Sequence, residues 1–134
     1  MKSLNRVLMV LAVVMCVVAA QAQTNVMLKG NVPFNFVASD HSLPAGEYTV
    51  ATLGGESEAW YNENGRALFI TRTVPLGKEA DAQTYKLVFH RYGDTYILTE
   101  VWSNGISHLV SGGKAAQQIA KSGKYQVVAV LMTR

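Results

Sequence analysis

The sequence predicts an all-β domain: a small antiparallel β-sandwich or barrel of about seven or eight strands with one short helix near the C-terminus. Three observations predict it. Short segments of alternating apolar and polar residues fill the chain beyond residue 30. Gly, Pro and Asn separate these segments at turn positions. Only residues 114–121 have the composition of a helix.

Residues 1–22 read as a secretory signal peptide. Lys2 and Arg6 charge its start, residues 7–18 are an unbroken apolar run of 12, and Ala20-Gln21-Ala22 puts small residues at the −3 and −1 positions of a cleavage site. Such a run is too short for a hydrocarbon core that needs about 20 residues. Cleavage is expected before Gln23, which leaves residues 23–134 as a single mainly-β domain. The one cysteine, Cys16, lies in the leader, and Val13-Val14-Met15-Cys16 lacks the small-residue pair of a lipidation signal. The mature chain is thus expected to have no disulfide, thiolate metal site or cysteine nucleophile.

The elements follow in order. Residues 34–38 read as a strand with Phe34, Phe36 and Ala38 on one face, and Pro33 suits a strand start. Residues 39–46 read as a loop that closes on Leu43-Pro44-Ala45-Gly46, type I turn chemistry. Residues 47–53 resume as a strand, with Tyr48 and Val50 sharing a face. Asn64-Gly65 then predicts a type I′ hairpin, because both residues tolerate positive φ. As a two-residue turn it sets Glu63 against Arg66, Tyr61 against Leu68 and Trp60 against Phe69, all favourable cross-strand pairs.

A second hairpin turns at Gly93-Asp94, between residues 85–92 and 95–102. Its register pairs Arg91 with Tyr96, Phe89 with Leu98, Leu87 with Glu100, and Tyr85 with Trp102. This aromatic face is expected to point at the core; a slip of one residue would reverse it. Residues 106–110 read as a further short strand. The helix at 114–121 carries Lys121 near its end, with Gly123 as its stop. Residues 125–132 are apolar on both faces, as in a central strand.

Composition excludes two classes. With 49% hydrophobic and 16% charged residues, the chain is not disordered. Removing Lys2 and Arg6 takes the net charge from +3 to +1, which gives no electrostatic case for nucleic-acid binding. Outer-membrane barrel strands need about 9–11 residues with a lipid-facing band. The strands here are nearer about five to eight, so no membrane span is expected after signal cleavage.

Side chains with chemical potential are few. His41, His90 and His108 lie too far apart in sequence for a ligand cluster, so no metal site is expected. Ser39-Asp40-His41-Ser42 holds the residue types of a hydrolase triad, but adjacent residues on one loop do not supply a triad's geometry; it reads as a polar turn. Glu100 is the most informative residue. Its register sets it among Tyr85, Leu87, Leu98 and Trp102, where a carboxylate is either paired, with Arg72 for instance, or shifted in pKa. Tyr85, Glu100 and Trp102 are therefore the candidate ligand-binding residues. No catalytic set and no cofactor motif is present, and without a second placed carboxylate glycosidase chemistry has no support. The aromatic set of Tyr48, Trp60, Phe69, Tyr85, Phe89, Tyr96 and Trp102 reads chiefly as core.

Four stretches carry a resemblance: Val32-Pro33-Phe34-Asn35-Phe36-Val37, Leu43-Pro44-Ala45-Gly46-Glu47-Tyr48-Thr49-Val50, Leu87-Val88-Phe89-His90-Arg91-Tyr92-Gly93-Asp94 and Glu100-Val101-Trp102. Their order and spacing resemble a family of small, functionally uncharacterised exported proteins common in acidobacterial genomes. The resemblance implies export and a single mainly-β domain, and it supplies no catalytic residue.

The expected function is that of an exported, non-enzymatic binding or structural module, in the periplasm or outside the cell, with a protein or small-molecule partner. The rival reading is a small-ligand carrier with an aromatic-lined barrel lumen. A hydrolase using Glu100 or His90 stands third. Intact-mass analysis of protein from the exported fraction is expected to give a chain beginning at Gln23; a retained leader overturns the signal-peptide reading.

Overall fold

The computed structural model describes residues 26–53, 56–78 and 84–134. The expected signal peptide lies outside the described residues. Among the described residues, ten strands and one helix follow in chain order: β1 (Met27–Val32), β2 (Phe36–Ala38), β3 (His41–Leu43), β4 (Gly46–Leu53), β5 (Ser57–Asn62), β6 (Ala67–Lys78), β7 (Lys86–Tyr92), β8 (Thr95–Ser103), β9 (Ile106–Val110), α1 (Lys114–Ala120) and β10 (Gln126–Leu131). The fold is all-β with one short helix near the C-terminus.

The strands form one mixed sheet. Its ladder runs β1-β4-β5-β6-β9-β8-β7-β10, and β2 and β3 join along the first half of β8. The twelve-residue β6 spans both halves, pairing β5 through Ala67–Arg72 and β9 through Thr73–Lys78. No continuous ladder closes the sheet. A single bridge ties its ends, with Lys29 N–H donating to Thr133 O at 2.7 Å and Thr133 N–H to Lys29 O at 2.8 Å.

The strand count exceeds the expectation by β1 and β3, while β2 falls within the strand expected at residues 34–38. β3 has three residues, too short for alternation to show. Residues 41–43, expected in a loop, pair with β2 through a two-residue turn at Ser39-Asp40, where Ser39 takes φ 56°. One pairing is parallel, β2 with β8 at Phe36–Tyr96 and Val37–Ile97. The connection at Leu43-Pro44-Ala45-Gly46 is held by Asn35, whose Oδ1 accepts the Ala45 N–H at 2.9 Å, and by Tyr48, whose hydroxyl donates to Pro44 O.

The core lies between the two halves of the curved sheet. Leu28, Val32, Val50, Trp60, Leu87, Phe89 and Val101 are fully buried, and each large apolar side chain removed from water contributes roughly 1.5–3 kcal/mol. Tyr48 with Val50, and Phe36 with Ala38, face inward as alternation predicts.

Both predicted hairpins form, and both carry a bulge that changes the register. In the first, Trp60 pairs with Phe69 as expected, but Tyr61 pairs with Ala67 rather than Leu68. The turn is longer than a type I′ pair. Gly65 N–H donates to Asn62 O, and Asn62 N–H to Arg66 O, both at 3.0 Å. Asn62 Oδ1 also accepts from Asn64 N–H and Arg66 N–H, so Glu63 does not face Arg66 across a ladder. Only Gly65 (φ 77°) is left-handed there. The type I′ signature occurs instead between β8 and β9, where Asn104 (φ 52°) and Gly105 (φ 73°) are both left-handed.

In the second hairpin Arg91–Tyr96 and Phe89–Leu98 pair as expected, and then Val88 meets Glu100, Leu87 meets Val101, and Lys86 meets Trp102. Thr99 is the extra residue, and its hydroxyl donates to Val88 O at 3.1 Å. The bulge reverses the facing of the rest of β8. Val101 enters the core, and Glu100 and Trp102 turn away from it, contrary to the sequence expectation.

The helix at Lys114–Ala120 matches its prediction, with Gly123 at φ 98° beyond it. β10 does not. It pairs only with β7 and lies at an end of the ladder, not at its centre. Its outward side chains are apolar but exposed.

Gly65→Val is expected to cost about 1 kcal/mol or more. A Cβ there meets nothing within 4 Å, so the cost comes from φ alone. Gly65→Asn, which tolerates that region, is expected to lose much less. Urea unfolding midpoints check both; equal midpoints for Gly65→Val and the unsubstituted chain would remove this account of the turn.

Candidate functional site

The three predicted residues do not converge on one inward face. Tyr85 precedes β7 and packs at the core margin, and its hydroxyl donates to Asn104 Oδ1 at 3.0 Å. Glu100 and Trp102 share the outer face of β8. Glu100 lies between Val88 and Leu109, and its Oε1 accepts from the Ser107 hydroxyl at 3.0 Å. Trp102 holds the Lys86 ammonium 4.7 Å from its ring centroid, while its Nε1 is buried without a hydrogen-bond partner among the described residues.

His90 extends this outer surface. Its ring stacks on Tyr125, centroids 4.0 Å apart and 8° from parallel. Desolvation lowers its pKa, and the nearby charge of Glu100 opposes the shift. Together Trp102, Lys86, Glu100, Ser107, His90 and Tyr125 make a surface with aromatic faces, a carboxylate and a cation. Such a set suits recognition of a polar or charged partner group.

The other histidines lie elsewhere. His108 is buried, with Nδ1 3.3 Å from Val101 O. His41 is exposed and stacks on Phe69, centroids 4.3 Å apart. The Ser39-Asp40-His41-Ser42 stretch divides its side chains. His41 covers Phe69, while Asp40 lies against Gly113, the N-cap of α1, where a Cβ would collide with its carboxylate. Among the described residues, no three His, Cys, Asp or Glu side chains are grouped to hold a metal ion.

Sequence reasoning missed the most buried carboxyl. Glu58 on β5 is 0% exposed and points into the core beside Trp60. Thr52 donates to its Oε2 at 3.3 Å, and its Oε1 has no partner. Thr71 lies directly opposite it, and Thr71 Oγ1 is 3.5 Å from the Glu58 carbonyl oxygen. The Thr73 hydroxyl and Trp60 Nε1 are also buried and unpartnered. Burial pushes the Glu58 pKa from 4.5 up to about 7, against the smaller downward pull of the Thr52 hydrogen bond. The signal was present in the sequence: Glu58 and Trp60 are two apart on a strand, so a core Trp60 carries Glu58 inward with it.

No family model, no curated protein and no solved structure matches the chain. Among the described residues, no helix is long and apolar enough to cross a membrane.

The folded-state pKa of Glu58 lies above its unfolded value, so the stability of a neutral Glu58 is fully present below about pH 4.5 and is lost as pH rises through about 7. The loss is expected to reach about 3 kcal/mol. Glu58→Gln, neutral at every pH, is expected to flatten that profile. Urea midpoints of both chains from acid to mildly alkaline pH measure it; parallel profiles would sink the assignment.

Proposed function

We propose that the mature chain is an exported, non-enzymatic β-domain that binds or scaffolds through its outer surface, in the periplasm or outside the cell. One observation carries this reading: the space between the sheet halves is filled. Phe36 touches Tyr48, Trp60 and Phe89 with ring centroids 5.4, 6.0 and 5.3 Å apart, and Phe69 stacks on Trp60 at 5.7 Å. Side chains in mutual contact occupy the volume a carrier would need for cargo.

The outward turn of Glu100 and Trp102 supports the same reading. These two are the binding residues we favour, with Tyr85 supporting the β8–β9 turn through Asn104. The half-exposed surface they share with Lys86 and His90 lies on paired strands, which hold it rigid. The leader at residues 1–22 supports export.

Native mass spectrometry of protein purified gently from the exported fraction tests this. A mass equal to that of one polypeptide, or to a whole-number multiple of it, is expected. A reproducible extra mass that is not a whole polypeptide and that vanishes on denaturation would overturn the filled-core reading in favour of a carrier.

A further inference from the structure

The outer edge of β10 has a defined hydrogen-bonding direction. Met132 N–H donates to Tyr85 O at 2.9 Å, so residue 132 addresses β7. Thr133 N–H donates to Lys29 O at 2.8 Å, so residue 133 addresses the other side. Antiparallel strands alternate in this respect. Val128 and Val130 therefore bond to β7, while Tyr125, Val127, Ala129 and Leu131 aim their backbone groups out of the sheet. The Leu131 carbonyl lies against Gly30 of β1, 3.3 Å from the position of a Cβ there. The open stretch is thus residues 125–129.

This edge lacks the usual protection. Natural edge strands are blunted by Lys, Pro, bulges or inward charges. Gln126–Leu131 reads Gln-Val-Val-Ala-Val-Leu and has none of these. Tyr125 is 50% and Val127 64% exposed. A row of outward-aimed backbone groups with apolar, uncharged side chains fits another β-strand of the same character.

We propose that two copies of this chain pair β10 to β10, antiparallel, about a two-fold axis through Val127. The strand is complementary to itself in that register. A two-fold axis normal to the sheet requires opposed residues to share a face and to aim their backbone groups at each other. Residues 125, 127 and 129 meet both conditions. Val127 then faces its own copy, and each Tyr125 ring lies beside the small Ala129 of the other chain. No charged side chain falls among these residues, so no like charges meet across the axis. The pairing is isologous and closes as a dimer.

Sedimentation velocity on protein purified from cells expressing the full chain tests the proposal, together with Val127→Pro. The Val127 N–H does not serve the β7 ladder, so proline is tolerated as on other edges, yet it deletes the central donor from both chains. The unsubstituted protein is expected to dimerise, and Val127→Pro to raise the dissociation constant about tenfold or more. If Val127→Pro loses its circular dichroism spectrum, Val127→Lys decides: it keeps the N–H but opposes two like charges on the axis. A monomeric Val127→Lys supports the proposal, and a dimeric one overturns it. Hydrogen exchange gives an independent readout. Amides of Val127 and Ala129 are expected to gain protection with rising protein concentration, and those of Val128 and Val130 to be protected throughout. An unsubstituted chain that stays monomeric, or a folded Val127→Pro that dimerises as before, overturns the assignment.

Discussion

The structure depends on where Phe36 sits. It comes from a strand of three residues, yet its ring meets Tyr48 and Trp60 from one half of the sheet and Phe89 from the other. Without a cysteine among the described residues, no covalent link ties the halves. The ring contacts do so instead, through edge-on and tilted geometries worth about 0.5–1.5 kcal/mol each beyond simple burial. The parallel pairing of β2 with β8 is the cost of delivering Phe36 there, and Asn35 and Tyr48 secure the turn that follows.

Around that core, single-residue irregularities decide what faces outward. Thr99 is one residue inserted into β8, and its hydroxyl satisfies a carbonyl of the facing strand. The insertion moves Val101 into the core and gives Glu100 and Trp102 to the surface. A binding surface is thus produced by a device that also completes the packing, since Val101 fills the inward position that Glu100 would otherwise have occupied uncompensated.

Two features run against stability. Glu58 is buried with one oxygen unpartnered, and the Thr73 hydroxyl and Trp60 Nε1 are likewise buried without a partner. β10 ends the ladder with apolar residues exposed. The first ties the core to the protonation of one carboxyl. The second leaves an edge that backbone chemistry drives toward another strand. They lie on different strands, Glu58 on β5 and the open edge on β10, which pairs only with β7.

Features that depend on neighbours in the chain were legible in the sequence. Alternation placed Phe36 with Ala38 and Tyr48 with Val50, turn chemistry located Gly93-Asp94, and composition placed the helix before Gly123. The Trp60–Phe69 pair was also legible, being close to its turn. Tertiary structure alone decided the rest. The bulges at Thr99 and beside Trp60 depend on which carbonyl or core space the facing strand offers, and no period-two pattern records that. The edge position of β10 likewise followed from long-range strand order, whereas the burial of Glu58 could have been read from its place two residues before Trp60. An apolar strand reads the same whether it has one neighbour or two, because side chains carry the pattern while backbone pairing sets the place.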